Sequence, residues 1–283
     1  MPITAPTFEY FRKLVEQRAG IVLEPGKEYL IESRLGQVAR NQGFHTVDEL
    51  GVELAKSSFN SLHRQVVEAM TTNETSWFRD IHPFDALKKK VLPDLIATRA
   101  ADSRLQVWCA ASSSGQEPYT IAMIIREYFP PLRDWKVQIL ATDISTAMLA
   151  KARAGRFTQL EMNRGLPAPL MVKYFVKDGT EWQIKDELRQ MVEFRELNLA
   201  ERWPLLPPVD IIFMRNVLIY FDIALKKDIL RRVRQVIRPD GFFFLGSAET
   251  TMSLDEAFER DQIDRAVVYR LVGNKVRRQY AGV

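Results

Sequence analysis

The sequence predicts an α/β protein in two parts, a small all-helical domain followed by a mainly parallel sheet flanked by helices. Three observations predict this. From Phe8 to about Met70 apolar residues recur at helical spacing and no β-rich run intervenes. After Thr98 short β-branched runs alternate with amphipathic stretches, the pattern of a sheet with helices on both faces. Residues 155–196 break that alternation and read as an inserted subdomain with a short hairpin and some helix.

Taken in order, Phe8, Phe11, Leu14, Val15 and Arg18 set a period near 3.6, and Ala19-Gly20 ends that helix. Tyr29 to Arg40 repeats the pattern and stops at Asn41-Gln42-Gly43. Thr46 opens a third helix as a capping residue, and Asn60 to Met70 supplies a fourth. Leu105–Ala110 reads as a buried strand with Pro118–Tyr128 as the helix after it. Further strands are expected at Val137–Thr142, Val209–Met214, Phe242–Leu245 and Val267–Leu271, with a helix over Ile223–Ile237. In the insert, Tyr174-Phe175-Val176 leads to a polar turn at Lys177-Asp178-Gly179 and a charged segment reaching Phe194. The expected domains are 1–72, a linker over 73–98, and 99–283 with the insert inside it.

The bulk numbers exclude several classes. The chain has 283 residues, 46% hydrophobic and 27% charged, the balance of a globular protein able to bury a core. One cysteine precludes an internal disulfide and fits a reducing compartment. There is no signal-peptide pattern and no apolar run long enough for a span, so the expected location is the cytoplasm, with no direct membrane insertion. Three histidines and one cysteine form no metal-ligand spacing, so no metal is expected. The formal charge of +4 suits an acidic protein surface as well as a nucleic acid, but no RNA-recognition signature is present and no nucleic-acid partner is expected.

The loop after the first strand, AASSSGQEP from Ala110 to Pro118, carries the chemistry. It has one glycine where a dinucleotide fingerprint needs three, no Walker lysine, and serines before rather than between glycines, which disfavours a hydrolase elbow. Cys109, between Trp108 and Ala110, reads as a small core residue. A small-residue loop suits a compact ligand without phosphates. Glu117 at the start of the next helix offers a carboxylate to an ammonium group, besides being a favourable acid at a helix N-terminus. Asp143 at the end of the second strand is placed to accept ribose hydroxyls, besides being a candidate helix cap. A ribose and an amino group without phosphates describe S-adenosylmethionine, and so a methyltransferase of the Rossmann-like class.

Five segments then appear in order: TTNETSWFRD (71–80), AASSSGQEPYTIAM (110–123), ATDIS (141–145), Asn198-Leu199 and MRNVLIYFD (214–222). Together they resemble the CheR family of chemotaxis receptor methyltransferases over nearly the whole chain. The resemblance implies a class I S-adenosylmethionine methyltransferase sheet with an all-helical N-terminal domain and a small inserted subdomain. It also implies a reaction: methyl transfer to glutamate side chains on the cytoplasmic helical bundle of methyl-accepting receptors, leaving γ-methyl esters and S-adenosylhomocysteine. A free glutamate has a pKa of about 4.3, so the acceptor is already ionised near neutrality and needs no general base. Alignment is then the main task, and a catalytic half poor in His and Cys fits it.

The same resemblance implies roles for individual residues. Asn73, Thr75 and Arg79 would close over the cofactor, Arg79 either holding its carboxylate or steering the acceptor glutamate. Glu117 would take the amino group, Asp143 the ribose, and Asn198 with Leu199 the adenine. Ala110, Arg215 and Asn216 would line the pocket. Tyr220, four residues after Asn216, would face the same cleft if the segment were helical and help place the acceptor. Trp77 and Phe78 read as packing. Lys27, Arg34 and Arg40 would offer a basic helix face to the acidic receptor, with Lys27 and Arg34 on one side and Arg40 rotated from it. Lys88-Lys89-Lys90 and Arg231-Arg232 with Arg234 read as solvated faces.

Two departures from the family pattern matter. Gln116 replaces an acid common in the family, while the inner acid is kept as Glu117. The hairpin at Lys177-Asp178-Gly179-Thr180 is shorter than in members that dock on a receptor C-terminal pentapeptide, so a tether-independent enzyme is expected. A regulatory adaptor is a conceivable partner, and a monomer is the expected state. The rival readings are a methyltransferase for RNA or a small molecule, and a non-catalytic adaptor; the latter would have no need of a ribose acceptor.

Overall fold

The computed structural model describes residues 3–273, so the ends expected for the two domains at 1 and 283 lie outside it. The chain forms two compact units: Met1–Thr72 with Asn198–Arg202 and Tyr220–Leu225, and Asn73–Leu197 with Trp203–Ile219 and Lys226–Val283.

The first unit holds α1 (Ala5–Ala19), α2 (Glu28–Asn41), α3 (Val47–Lys56) and α4 (Ser61–Ala69), the four helices read from periodicity. Phe8, Phe11, Leu14 and Val15 of α1 are buried, as are Ile31, Leu35 and Ala39 of α2 at i, i+4 and i+8. Gly20 ends α1 in the left-handed region at φ 70°, its N–H donating to Glu16 O. Thr46 caps α3 by accepting from Glu49 N at 3.1 Å. Asn60 caps α4 in a reciprocal box with the His63 ring, which also meets Tyr10 Oη at 3.2 Å. The late segments belong to this unit through backbone: Val22 N donates to Tyr220 O at 2.9 Å, and Ile21 bridges Phe221.

The second unit opens with α5 (His82–Ala86), one π-helical turn at Leu87–Val91, and α6 (Leu92–Arg99). Where the sequence suggests a linker, Phe84, Leu87, Val91, Leu92 and Leu95 are buried in the core of this unit. There follow β1 (Arg104–Ala110), α7 (Gln116–Tyr128), β2 (Lys136–Asp143) and α8 (Thr146–Ala154). The insert contains β3 (Arg156–Thr158), α9 (Gln159–Met162), α10 (Ala168–Tyr174), β4 (Phe175–Asp178), β5 (Glu181–Ile184) and α11 (Asp186–Arg189). Then come β6 (Val192–Glu196), β7 (Val209–Met214), α12 (Ile223–Val236), β8 (Ile237–Leu245), β9 (Phe258–Ile263) and β10 (Ala266–Leu271).

The main sheet runs β6-β2-β1-β7-β8-β10-β9, and β3-β5-β4 form a separate three-stranded sheet. The strands from β6 to β8 pair in parallel; β10 and β9 are antiparallel. Val107, Cys109, Ile139, Ala141, Ile211, Phe213, Phe242 and Phe244 share one packed core, so these strands read as near-continuous apolar runs. The hairpin of the insert closes in two residues, Asp178 pairing with Glu181 and Gly179 at φ 61°.

Three differences from the sequence reading have physical reasons. The segment ending at Phe194 is not insert: Val192–Glu196 alternates buried and exposed residues as the edge strand β6, parallel to β2. Strand β9 escaped notice because its polar FERDQI exposes one face on the opposite edge. Arg232, grouped with solvated arginines, stacks 4.5 Å over Trp203, whereas Lys88, Lys89 and Lys90 do make exposed pairs with Asp85, Asp264 and Asp94.

At the N-terminal end of the central strands, Asp210 accepts from Arg99 Nε at 2.9 Å and from Gln106 N at 2.8 Å, and Arg99 forks onto Asp240. Asp210 is only 2% exposed and Arg99 11%. Asp240 is held below the ordinary carboxylate range, first by its hydrogen bond from Arg99. Asp210→Ala should therefore destabilise the protein by about 1–3 kcal/mol in urea unfolding, because it leaves Arg99 Nε and Gln106 N without their acceptor while Asp240 still pairs the guanidinium; a change under about 0.5 kcal/mol would show that solvent replaces the pair.

Candidate cofactor site

Strands β1 and β7 are neighbours, yet the chain leaves β1 toward β2 and β6 and returns to β7 from the other side. The crevice at their C-terminal ends is the place where such sheets bind ligands. The loop leaving β1 is bent tightly. Ala111, Ser113 and Gly115 all have positive φ, at 59°, 49° and 94°. Gly115 is required there, since a Cβ at φ 94° would also press on Ala152, Tyr119 and Phe194.

Asp143 holds this loop to β2: its Oδ2 accepts from Ser113 N at 2.8 Å and its Oδ1 from Ser145 N at 2.9 Å. Ser145, rather than Asp143, caps α8, accepting from Met148 N at 3.3 Å. Ser113 Oγ donates to Asn73 O at 2.8 Å and so joins the loop to the segment before α5.

That segment is strained. Phe78, Asp80 and Ile81 all lie at positive φ, 50°, 65° and 34°, conformations costing about 1–3 kcal/mol each for such residues. Two anchors hold them. Trp77 is buried edge-on against Phe157 and Phe175, with ring centroids 4.9 and 5.4 Å away. On the other side Arg215, whose side chain is 2% exposed, donates from Nη1 to Glu117 Oε2 at 2.9 Å. Its Nη2 donates to Asp80 Oδ2 at 2.6 Å and to Arg79 O at 2.8 Å. One guanidinium thus joins the end of β7, the first turn of α7 and the segment before α5. Burial pushes the Glu117 carboxyl above its ordinary range, with Arg215 opposing the shift. The Cys109 thiol is pushed up by the same burial and is inert core, as its position suggested.

Of the expected residues, Asn73, Thr75, Arg79, Ala110, Glu117, Asp143, Arg215 and Asn216 all lie in this second unit. Arg79 donates to Glu74 O at 2.9 Å and forms no ion pair among the described residues. Asn198, Leu199 and Tyr220 belong to the first unit, where Asn198 Nδ2 donates to Arg18 O at 2.6 Å and Leu199 is buried. The helical spacing supposed between Asn216 and Tyr220 does not exist. Asn216 is left-handed at φ 58°, Leu218–Tyr220 is a single 3₁₀ turn, and α12 begins only at Ile223.

Sequence reasoning missed Asp80 and Glu249. Asp80 lies inside a quoted motif, but its pairing with Arg215 is 135 residues distant. Glu249 accepts backbone N–H groups from Asn216, Val217, Ile219 and Gly246 and carries no motif signal.

Two buried polar atoms at this crevice lack protein partners: Ser112 Oγ in the β1 loop and Arg215 Nε. A polar ligand there would satisfy groups that otherwise cost about 1–3 kcal/mol each. The carboxylates of Glu117 and Asp143 and the small residues of the loop are the donor and acceptor set that a ligand with an ammonium group and a ribose, such as S-adenosylmethionine, would call for. Asp143→Ala should weaken cofactor binding by about 1–3 kcal/mol, read by calorimetric titration with S-adenosylhomocysteine; unchanged affinity would remove Asp143 from the site.

Comparison with known proteins agrees with this geometry. Residues 6–71 match the family model "CheR methyltransferase, all-alpha domain" and residues 73–267 match "CheR methyltransferase, SAM binding domain". The chain is similar to chemotaxis protein methyltransferase 1 of Pseudomonas aeruginosa, 43% identical over 267 residues that cover 93% of this chain and 97% of that one. Chemotaxis protein methyltransferase Cher2 of Pseudomonas putida is 41% identical over the same shares of each chain, and the Vibrio anguillarum enzyme is 38% identical over 95% and 98%. The chain therefore belongs to the CheR methyltransferase family and is an S-adenosylmethionine-dependent protein-glutamate O-methyltransferase.

Proposed function

We propose that this enzyme methylates glutamates on the cytoplasmic helical bundle of methyl-accepting chemotaxis receptors, and that it acts in the cytoplasm as a monomer without a pentapeptide tether. The observation that carries the reading is the buried Arg215–Glu117–Asp80 arrangement at the ends of β7 and α7. It builds a charged, pre-ordered crevice, and a carboxylate acceptor, already ionised at neutral pH, needs no general base there. S-adenosylmethionine, when bound, supplies a methyl group on a positively charged sulfur. The protein's residues orient and shield. Glu117 takes the ammonium, Asp143 the ribose, and Arg79, free of any carboxylate among the described residues, either holds the cofactor carboxylate or draws in the acceptor. Asn73, Thr75, Ala110, Arg215 and Asn216 line the pocket. Asn198, Leu199 and Tyr220 keep the roles that the family resemblance gives them, adenine for the first two and acceptor placement for the last.

On the first unit, Lys27 and Arg40 support the receptor-facing role. Arg40 is exposed and donates to Gln37 Oε1 at 3.0 Å, with no carboxylate partner among the described residues, and Lys27 lies 5.9 Å above the ring of Tyr29. Arg34 contributes less, because it spends its donors on Met70 O at 2.5 Å and Thr72 Oγ1 at 2.9 Å. An adaptor protein is a further candidate partner. The two-residue hairpin between Asp178 and Glu181 supports tether independence, since it leaves little loop for docking a peptide.

The test is incorporation of base-labile methyl groups into receptor glutamates by the full-length protein. Removing the receptor's last five residues should leave the rate within about twofold, and a loss above tenfold would establish a tether. The double charge reversal Lys27→Glu with Arg40→Glu should raise the KM for receptor about tenfold, by about 1.4 kcal/mol, with the cofactor Kd unchanged. A pH series checks Glu117. Its carboxylate form binds the ammonium and its folded-state pKa lies above the ordinary 4.5, so affinity should rise with pH through that raised midpoint and level off above it. Glu117→Gln should weaken binding and flatten the rise; an unchanged pH profile would assign the titration elsewhere.

A further inference from the structure

The turn after β7 is held by a residue outside every recognised motif. Glu249 lies in the loop that follows β8, the strand beside β7. Its Oε2 accepts from Asn216 N at 2.8 Å and Gly246 N at 2.7 Å. Its Oε1 accepts from Val217 N at 2.9 Å and Ile219 N at 3.2 Å. One carboxylate thus satisfies four main-chain donors, three of them from the single stretch Asn216–Ile219.

The stretch needs such a hold. It is not a helix, so its N–H groups have no i−4 carbonyls to meet, and it begins with Asn216 at φ 58°. Successive N–H groups converging from a left-handed turn form an anion-binding concavity. Here the anion is internal. The fit is close on the other side too, since a Cβ on Gly246 would lie 2.8 Å from Glu249 Oε2 and 2.7 Å from Asn216 Nδ2. Asn216 directly follows Arg215, whose side chain ties Glu117 to Asp80. Whatever fixes the backbone at 216 fixes the direction from which that guanidinium enters the crevice.

We infer that Glu249 is a positioning residue for the cofactor site: it locks the left-handed turn at Asn216 and thereby sets Arg215 and Asn216 in their binding geometry. The inference rests on the cofactor roles proposed above for Arg215 and Asn216. Charge is essential to it. Glu249→Gln keeps the shape but turns an NH₂ group toward two N–H donors, and neutralises the acceptor of the other two.

Two variants of the full-length protein test this, Glu249→Gln, which removes the charge, and Glu249→Asp, which keeps the charge but shortens its reach. Each is measured for melting temperature, S-adenosylhomocysteine affinity, steady-state methyl transfer, and amide hydrogen exchange over Asn216–Ile219. The expected result is faster exchange confined to that stretch, a cofactor Kd and KM raised at least tenfold, and a receptor KM within twofold of the unaltered protein. A purely structural role would lower the active fraction and kcat while leaving the cofactor KM unchanged, and that outcome overturns the inference. So does a Kd within twofold in both variants, or global unfolding of both. If the unaltered protein fails to bind S-adenosylhomocysteine, the cofactor reading itself fails; if it binds and the variants bind equally, only the role of Glu249 falls.

Discussion

A guanidinium removed from water must find carboxylate and carbonyl partners, and Arg215 finds them on three different stretches of chain. Its Nη1 reaches Glu117, and its Nη2 reaches Asp80 and the carbonyl of Arg79. Taking such an ion out of water costs several kcal/mol, which hydrogen-bonded partners of opposite charge offset. Losing Arg215 would leave the buried Glu117 without its cation, whereas losing the half-exposed Asp80 leaves the guanidinium still paired with Glu117. The arrangement also explains how three positive-φ residues persist within Phe78–Ile81. Backbone strain survives where its surroundings over-determine it, and here Arg215 on one side and the buried ring of Trp77 on the other do so.

Much of this was legible in sequence. The N-terminal helices announce themselves through buried residues at helical spacing, such as Phe8, Phe11 and Val15 in α1 and Ile31, Leu35 and Ala39 in α2. The central strands do so through unbroken apolar runs such as Val209–Met214, buried at every position. The tight bend after β1 was legible in its run of small residues, of which Ala111, Ser113 and Gly115 sit at positive φ. Edge strands were less so. Val192–Glu196 buries alternate residues only, and its charged half mimics a loop.

The pairings that complete the site were not legible, and the reason is geometric. Asp80 and Arg215 are 135 residues apart, and Glu249 is 33 residues from Asn216. Local spacing holds no information on which acid closes which ring of hydrogen bonds. The supposed helix from Asn216 to Tyr220 failed for a related reason. That reading rested only on the four-residue spacing of Asn216 and Tyr220, and Glu249 satisfies the amides of 216, 217 and 219 from outside, so the stretch needs no helical hydrogen bonds. Val217, Ile219 and Tyr220 are weak helix formers and set nothing against it.

These features bear on how so few reactive groups can run the chemistry. With an acceptor already ionised at neutral pH, rate depends on in-line alignment and on excluding water, and both are properties of rigidity rather than of acid–base strength. Rigidity is what the second unit supplies: a strained segment pinned by Arg215, a tight loop pinned by Asp143, and a left-handed turn pinned by Glu249. Arg79 stands apart from this fixed frame. Its main chain is clamped through its carbonyl, yet its guanidinium forms no ion pair among the described residues and donates to the Glu74 carbonyl. A cation whose base is fixed and whose head is uncommitted can take up a carboxylate without first breaking an ion pair. That is the ground of both roles proposed for it, toward the cofactor carboxylate or toward the acceptor.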